Sequence, residues 1–143
     1  MRRLSPTAKT FAAIFSVILS TPAFATATLT CDIKDAAVAF NLQGAVGSLS
    51  TLGGVQGRLD LKGGKDWPRF GFDLDSESVI QQWIDGADLR LRINGPQEHS
   101  MLIDLVILTR QKGDFGFPGA YKLKITDEGK SRTRNGKVNC VLG

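Results

Sequence analysis

Four sets of side chains in this chain are of types and at spacings that chemistry uses. Asp73, Asp75 and Glu77 alternate two apart, as oxygen ligands do in calcium-binding loops. A helix-flanked calcium loop needs a glycine at its sixth position and a bidentate glutamate at its twelfth, and this chain has Ser78 and Ile84 there. Calcium is therefore the lesser reading. The plainer one is carboxylates that complement a helix N-terminus.

Lys122, Lys124, Lys130, Arg132, Arg134 and Lys137 form the second set, gathered on one stretch near the C-terminus. Such a patch suits an anionic partner, whether a macromolecule or a component of the cell envelope. Only Tyr121 stands near it as an aromatic, so the stacking platform of a single-strand binder is missing and no nucleic acid is expected. The simpler alternative is a solvated edge hairpin whose charges prevent strand-to-strand aggregation.

The third set is one carboxylate and two arginines. Asp104 interrupts the apolar run Met101 to Arg110 and needs a partner there. Arg90 and Arg92 lie on the preceding segment, and matching the apolar faces brings one of them opposite Asp104, as a buried structural ion pair.

The fourth set is Cys31 and Cys140, the only cysteines. An even pair in an exported chain is expected to join as a disulfide. The export expectation rests on residues 1–25: Arg2, Arg3 and Lys9 precede an apolar stretch, Phe11 to Leu19, that ends in Ala23-Phe24-Ala25. That is the form of a signal peptide, too short for a membrane span. Cleavage after Ala25 leaves 26–143 as one periplasmic or secreted domain, with no transmembrane segment. Three of the eighteen Lys and Arg residues go with the leader, which leaves the rest nearly balanced against fourteen Asp and Glu. Acidic residues predominate up to Asp104, and basic ones after it.

Enzymatic patterns are scarce. There is no Gly-x-Ser-x-Gly elbow and no zinc spacing, and the single histidine, His99, sits in a polar loop. A glycosidase-type carboxylate pair is spatial and is not legible in one sequence. The glycines at 44, 47, 53, 54 and 57 match no nucleotide-binding fingerprint. No cofactor is expected.

Strands are what must position these groups. Alternation of apolar and polar residues marks strands at Leu29–Ile33, Val38–Leu42, Val55–Leu61, Phe70–Leu74, Leu89–Ile93, Tyr121–Ile125 and Val138–Leu142. A tight connection at Lys34-Asp35 would set Cys31 opposite Val38, and Gly44 to Gly54 reads as an irregular edge. Met101 to Arg110, aliphatic on both faces, reads as the doubly buried central strand. Ser76 to Asp85 breaks the pattern, because Val79, Ile80, Trp83 and Ile84 recur at helical spacing with Gly86 behind them. One short helix is expected there, with Trp83 more buried than Trp67.

The resulting fold is all-β: a single-domain antiparallel sandwich, or alternatively a closed barrel, of about eight strands with one short helix. The function that fits is an exported, non-catalytic module that binds a macromolecule or envelope component. The alternatives are a carrier of a small apolar ligand inside a barrel and, behind it, a carboxylate-based hydrolase.

Overall fold

The computed structural model describes residues 26–96 and 100–143. The expected leader (1–25) and His99 lie outside them. Among the described residues the protein is all-β, with nine strands: β1 (Ala27–Lys34), β2 (Val38–Val46), β3 (Leu52–Gly64), β4 (Trp67–Leu74), β5 (Val79–Asp85), β6 (Asp88–Asn94), β7 (Leu102–Arg110), β8 (Gly116–Asp127) and β9 (Lys130–Leu142). They form one antiparallel sheet in the order β4-β3-β2-β1-β9-β8-β7-β6-β5. The expected sandwich is thus a single sheet, curled into a half-barrel. Its concave face closes on one core, in which Leu29, Phe40 and Leu59 from one half meet Leu91, Leu105 and Leu123 from the other.

Period-two alternation explains why the sheet has an inside. On β1, Leu29, Cys31 and Ile33 are buried; on β2, Val38, Phe40 and Leu42; on β6, Leu89, Leu91 and Ile93. Each such side chain contributes roughly 1.5–3 kcal/mol by leaving water. The chain reaches its centre last. β9 lies between β1 and β8, Cys31 faces Cys140 directly, and the two are bonded with their Cα atoms 4.0 Å apart. This disulfide fits an oxidising compartment.

Four expectations need correction. β7 is the third strand from an edge, and only its Ile103, Leu105, Ile107 and Thr109 point inward; Leu102 and Leu108 are 61% and 52% exposed. A single sheet has one core face, so a strand that is apolar on both faces must show one of them to water.

The second correction is at Ser76–Asp85, which holds β5 rather than a helix. Helix was expected because a strand would bury a glutamine on either face. The strand avoids that cost in two ways. A bulge between Val79 and Gln81 shifts the parity, so Val79 and Ile84 pair with the inward-facing Ile93 and Leu89. Gln82, on the same inner side, lies at the sheet edge and accepts the Leu52 backbone N–H at 2.6 Å. With Ser76 Oγ accepting from Val55 N–H at 3.2 Å, this contact ties the β5 side to the start of β3 by side chains instead of a ladder.

Third, Trp83 is 58% exposed, whereas Trp67 packs half-buried against the core. Fourth, the β1–β2 register differs from the tight hairpin: Ile33 faces Phe40 and Cys31 faces Leu42, four residues along from the expected pairing. A shift of four keeps every side chain on its face, so alternation alone does not reveal it. What fixes it is Asp35, whose Oδ1 accepts both Ala37 N–H and Val38 N–H at 2.8 Å and forms a wider turn.

Candidate binding site

The outward face of β5–β8 is laid out in cross-strand rows. One row runs Gln81, Arg92, Val106, Lys122; the next runs Trp83, Arg90, Leu108, Ala120. Adjacent strands stand about 4.8 Å apart and alternate residues about 6.6 Å apart along a strand, so neighbouring rows form a continuous surface. With Ile80, all of these residues but Ala120 line an open groove of about 810 Å³. A smaller depression of about 250 Å³ at Asn94, Leu102 and Thr126 shares Arg92, Asp104 and Lys124 with it and extends it toward the β6–β7 turn.

The charges in this groove are unequal. Arg92 holds Asp104 with two hydrogen bonds, Nε to Oδ1 at 2.8 Å and Nη2 to Oδ2 at 3.0 Å. Those bonds and the carboxylate charge raise the Arg92 guanidinium further above its ordinary value. The residue directly opposite Asp104 on β6 is Asn94, and Arg92 reaches it diagonally from the Val106 position. The pair is also less buried than expected, with the side chains 44% and 31% exposed. Arg90 and Arg110 each approach Asp88 at 3.7 Å. Lys122 and Lys124 have no ion pair among the described residues.

The basic set read from the sequence is therefore divided. Lys122 and Lys124 line the groove. Lys130 faces Asp127 at the β8–β9 turn, Arg132 lies opposite Ile125, and Lys137 lies opposite Ala120. Arg134 turns to the concave side, where its Nε stands 3.4 Å from Asp35 Oδ2. The buried Tyr121 hydroxyl donates to that same oxygen. Its ring lies over Gly136, where a Cβ would come within 2.5 Å of Cε1. Burial works to raise the Asp35 carboxyl. The Tyr121 hydroxyl, the Ala37 and Val38 amides and Arg134 outweigh it and hold the group below its ordinary value. Tyr121 itself is pushed up to about 12, by burial first and then by Asp35.

The calcium candidates are also dispersed. Asp73 accepts from Arg58 Nη1 at 2.8 Å. Asp75 Oδ1 accepts from Ser78 Oγ, Ser78 N–H and Glu77 N–H, all at 3.0 Å, and this holds its carboxyl below the ordinary value. Among the described residues, no three His, Cys, Asp or Glu side chains gather as a metal site.

Sequence reasoning missed Trp83, Ile80, Val106 and Leu108 as surface residues. The available signal was the two-faced apolarity of β7 itself. Among the described residues, no helix is long and apolar enough to cross a membrane. No family model matches the chain, and neither a curated protein nor a solved structure does.

Proposed function

We propose that the protein is an exported, non-catalytic module that binds an anionic component of the cell envelope in the outer groove of β5–β8. The observation that carries this reading is the exposure of Trp83 and Leu108 beside two lysines with no ion pair among the described residues. Exposed apolar side chains next to unbalanced cations have no use in folding, and together they suit a ligand that is both apolar and negative. A non-catalytic role is supported by Asp104, the only carboxylate lining the groove among the described residues, whose two oxygens are both taken by Arg92. Glycosidase-type hydrolysis needs two carboxyl groups, one of them a free acid. A ligand inside the sheet finds little support, because side chains from both halves fill the concave face.

Export to the periplasm or the exterior is part of the same proposal, from the leader pattern of 1–25 and the disulfide. The test has two parts. Mass spectrometry of the protein recovered from the host's exported fraction should give a chain that begins at Thr26. That chain should then sediment with washed envelope membranes, and Lys122→Glu with Lys124→Glu should abolish the retention. Equal retention of the double variant would place binding elsewhere on the molecule.

A further inference from the structure

We infer that the ligand of this groove is a lipid-like amphiphile with one unbranched chain and a phosphate or carboxylate head, bound as a single molecule. The inference rests on the groove being the binding site proposed above. Lys122 and Lys124 project from the same face of β8, about 6.6 Å apart, and both line the groove without a counter-ion among the described residues. Long flexible ammonium stems at that separation can converge on a head group with two or more anionic oxygens. Asp104 lies directly opposite Lys124 and would repel such a head, but Arg92 neutralises it.

The rest of the lining suits a chain. Val106 and Leu108 on β7 and Ile80 on β5 are aliphatic, and Trp83 closes the far side with its indole more than half exposed. Arg90 leans toward Asp88 and Arg92 toward Asp104, which leaves the Arg90 stem between Trp83 and Leu108 and the Arg92 stem between Gln81 and Val106. Val106 and Leu108 of β7 adjoin the ammonium groups of β8, with Arg90 and Arg92 of β6 and Gln81 and Gln82 of β5 completing the lining, so an amphiphile whose head meets the lysines would lay its chain over β7 toward Trp83. One indole without a second facing ring is a poor bed for stacked sugars or bases, which disfavours a polysaccharide or nucleic acid. The groove is open, and its volume of about 810 Å³ falls in the range of small-ligand sites.

The test uses the mature chain carrying Trp67→Phe, so that Trp83 is the sole fluorescent indole. Dodecyl phosphate below its micelle concentration should bind saturably and shift Trp83 emission to the blue. Inorganic phosphate and the zwitterionic dodecylphosphocholine should bind at least about tenfold more weakly, a difference worth one charge-assisted contact. Lys122→Gln with Lys124→Gln, and separately Leu108→Gln, should each weaken dodecyl phosphate by about tenfold, with unchanged circular dichroism and no free thiol. If the lysine variant does not fold, salt takes its place: added sodium chloride should weaken dodecyl phosphate and leave the neutral dodecyl maltoside unaffected. Equal affinity for charged and zwitterionic chains, or binding only to micelles or vesicles, overturns the inference. Lysine-dependent binding of polygalacturonate with dodecyl phosphate inert overturns the amphiphile and retains the groove. Envelope retention indifferent to both lysines removes the groove itself.

Discussion

The two halves of the sheet bury the same kind of surface and show different ones to solvent. On β3 and β4 a cluster of outward charges is compensated, Arg58 Nε lying 3.0 Å from Asp60 and its Nη1 2.8 Å from Asp73 on the neighbouring strand, while Lys62 and Arg69 face each other without an ion pair among the described residues. This is the solvated face expected of an antiparallel sheet with one core side. On β5–β8 the outward positions hold exposed Trp83, Leu102 and Leu108, with Lys122 and Lys124 uncompensated among the described residues. The first half shows what folding alone requires of an outer face. What sets the second half apart is its exposed apolar side chains, the surface that the proposed ligand would cover.

The largest effect should come from the join between the halves. Replacing Cys31 and Cys140 together with alanine opens a loop spanning 109 residues. The loss should be roughly 4–5 kcal/mol on the chain-entropy model, measured by urea unfolding. A loss below about 1 kcal/mol would show that the β1–β9 ladder holds the halves without the bond.

Next is a contrast within one strand. Leu105→Ala removes a fully buried side chain of β7 and should cost about 2–5 kcal/mol. Leu108→Ala, three residues on and half exposed, should stay within about 0.5 kcal/mol while weakening ligand binding. Equal destabilisation by the two would remove the distinction between a folding face and a binding face.

Tyr121→Phe tests the tie from β8 to the β1–β2 turn and should cost about 1–2 kcal/mol near neutral pH. The pH dependence has a definite sign at each end. Asp35 is held below its ordinary value of 3.8, so its contribution is present above that pH and fades as the pH falls through the lower folded value. Tyr121 is raised from 10.0 to about 12, so its contribution is complete below pH 10 and is lost as the pH climbs toward 12. Melting temperatures of the two proteins should therefore converge in acid and in strong base; a constant gap across pH would sink this account.

The smallest effect is at the β8–β9 turn, where Glu128 and Gly129 both take positive φ, 47° and 77°. Asn tolerates that conformation better than Glu does, and Asn-Gly is the preferred pair for such a hairpin. Glu128→Asn should raise stability by a few tenths of a kcal/mol, seen as a small rise in melting temperature. A decrease would show that Glu128 has another role.

Much of the fold was legible because alternation is a local property. The inward residues of β1, β2, β6 and β8 are those the period-two pattern selects, and the cysteines lie on that inward face. The features that were not legible depend on distant partners. The four-residue register of β1 and β2 turns on Asp35, which is committed to its own turn and to Tyr121. β5 resembled a helix because the bulge after Val79 disguises its period, and because the partner of Gln82 is a backbone amide thirty residues away. The groove is half legible: charge marks Lys122 and Lys124, whereas hydrophobicity alone places Trp83 and Leu108 in the core, and both are more than half exposed.

The place of β9 also has a kinetic meaning. Until the last strand is made, β1 and β8 have no neighbour in common, and the chain consists of two separate four-stranded meanders, each with an unpaired edge. Contacts between strands at opposite ends of the sequence form slowly, because a long loop must close before they contribute. The sheet therefore cannot be completed until β9 has left the ribosome. A polypeptide built this way stays open for as long as β9 is withheld, and Cys31 meets Cys140 only when that strand arrives, so the bond is formed by the environment in which the fold is completed.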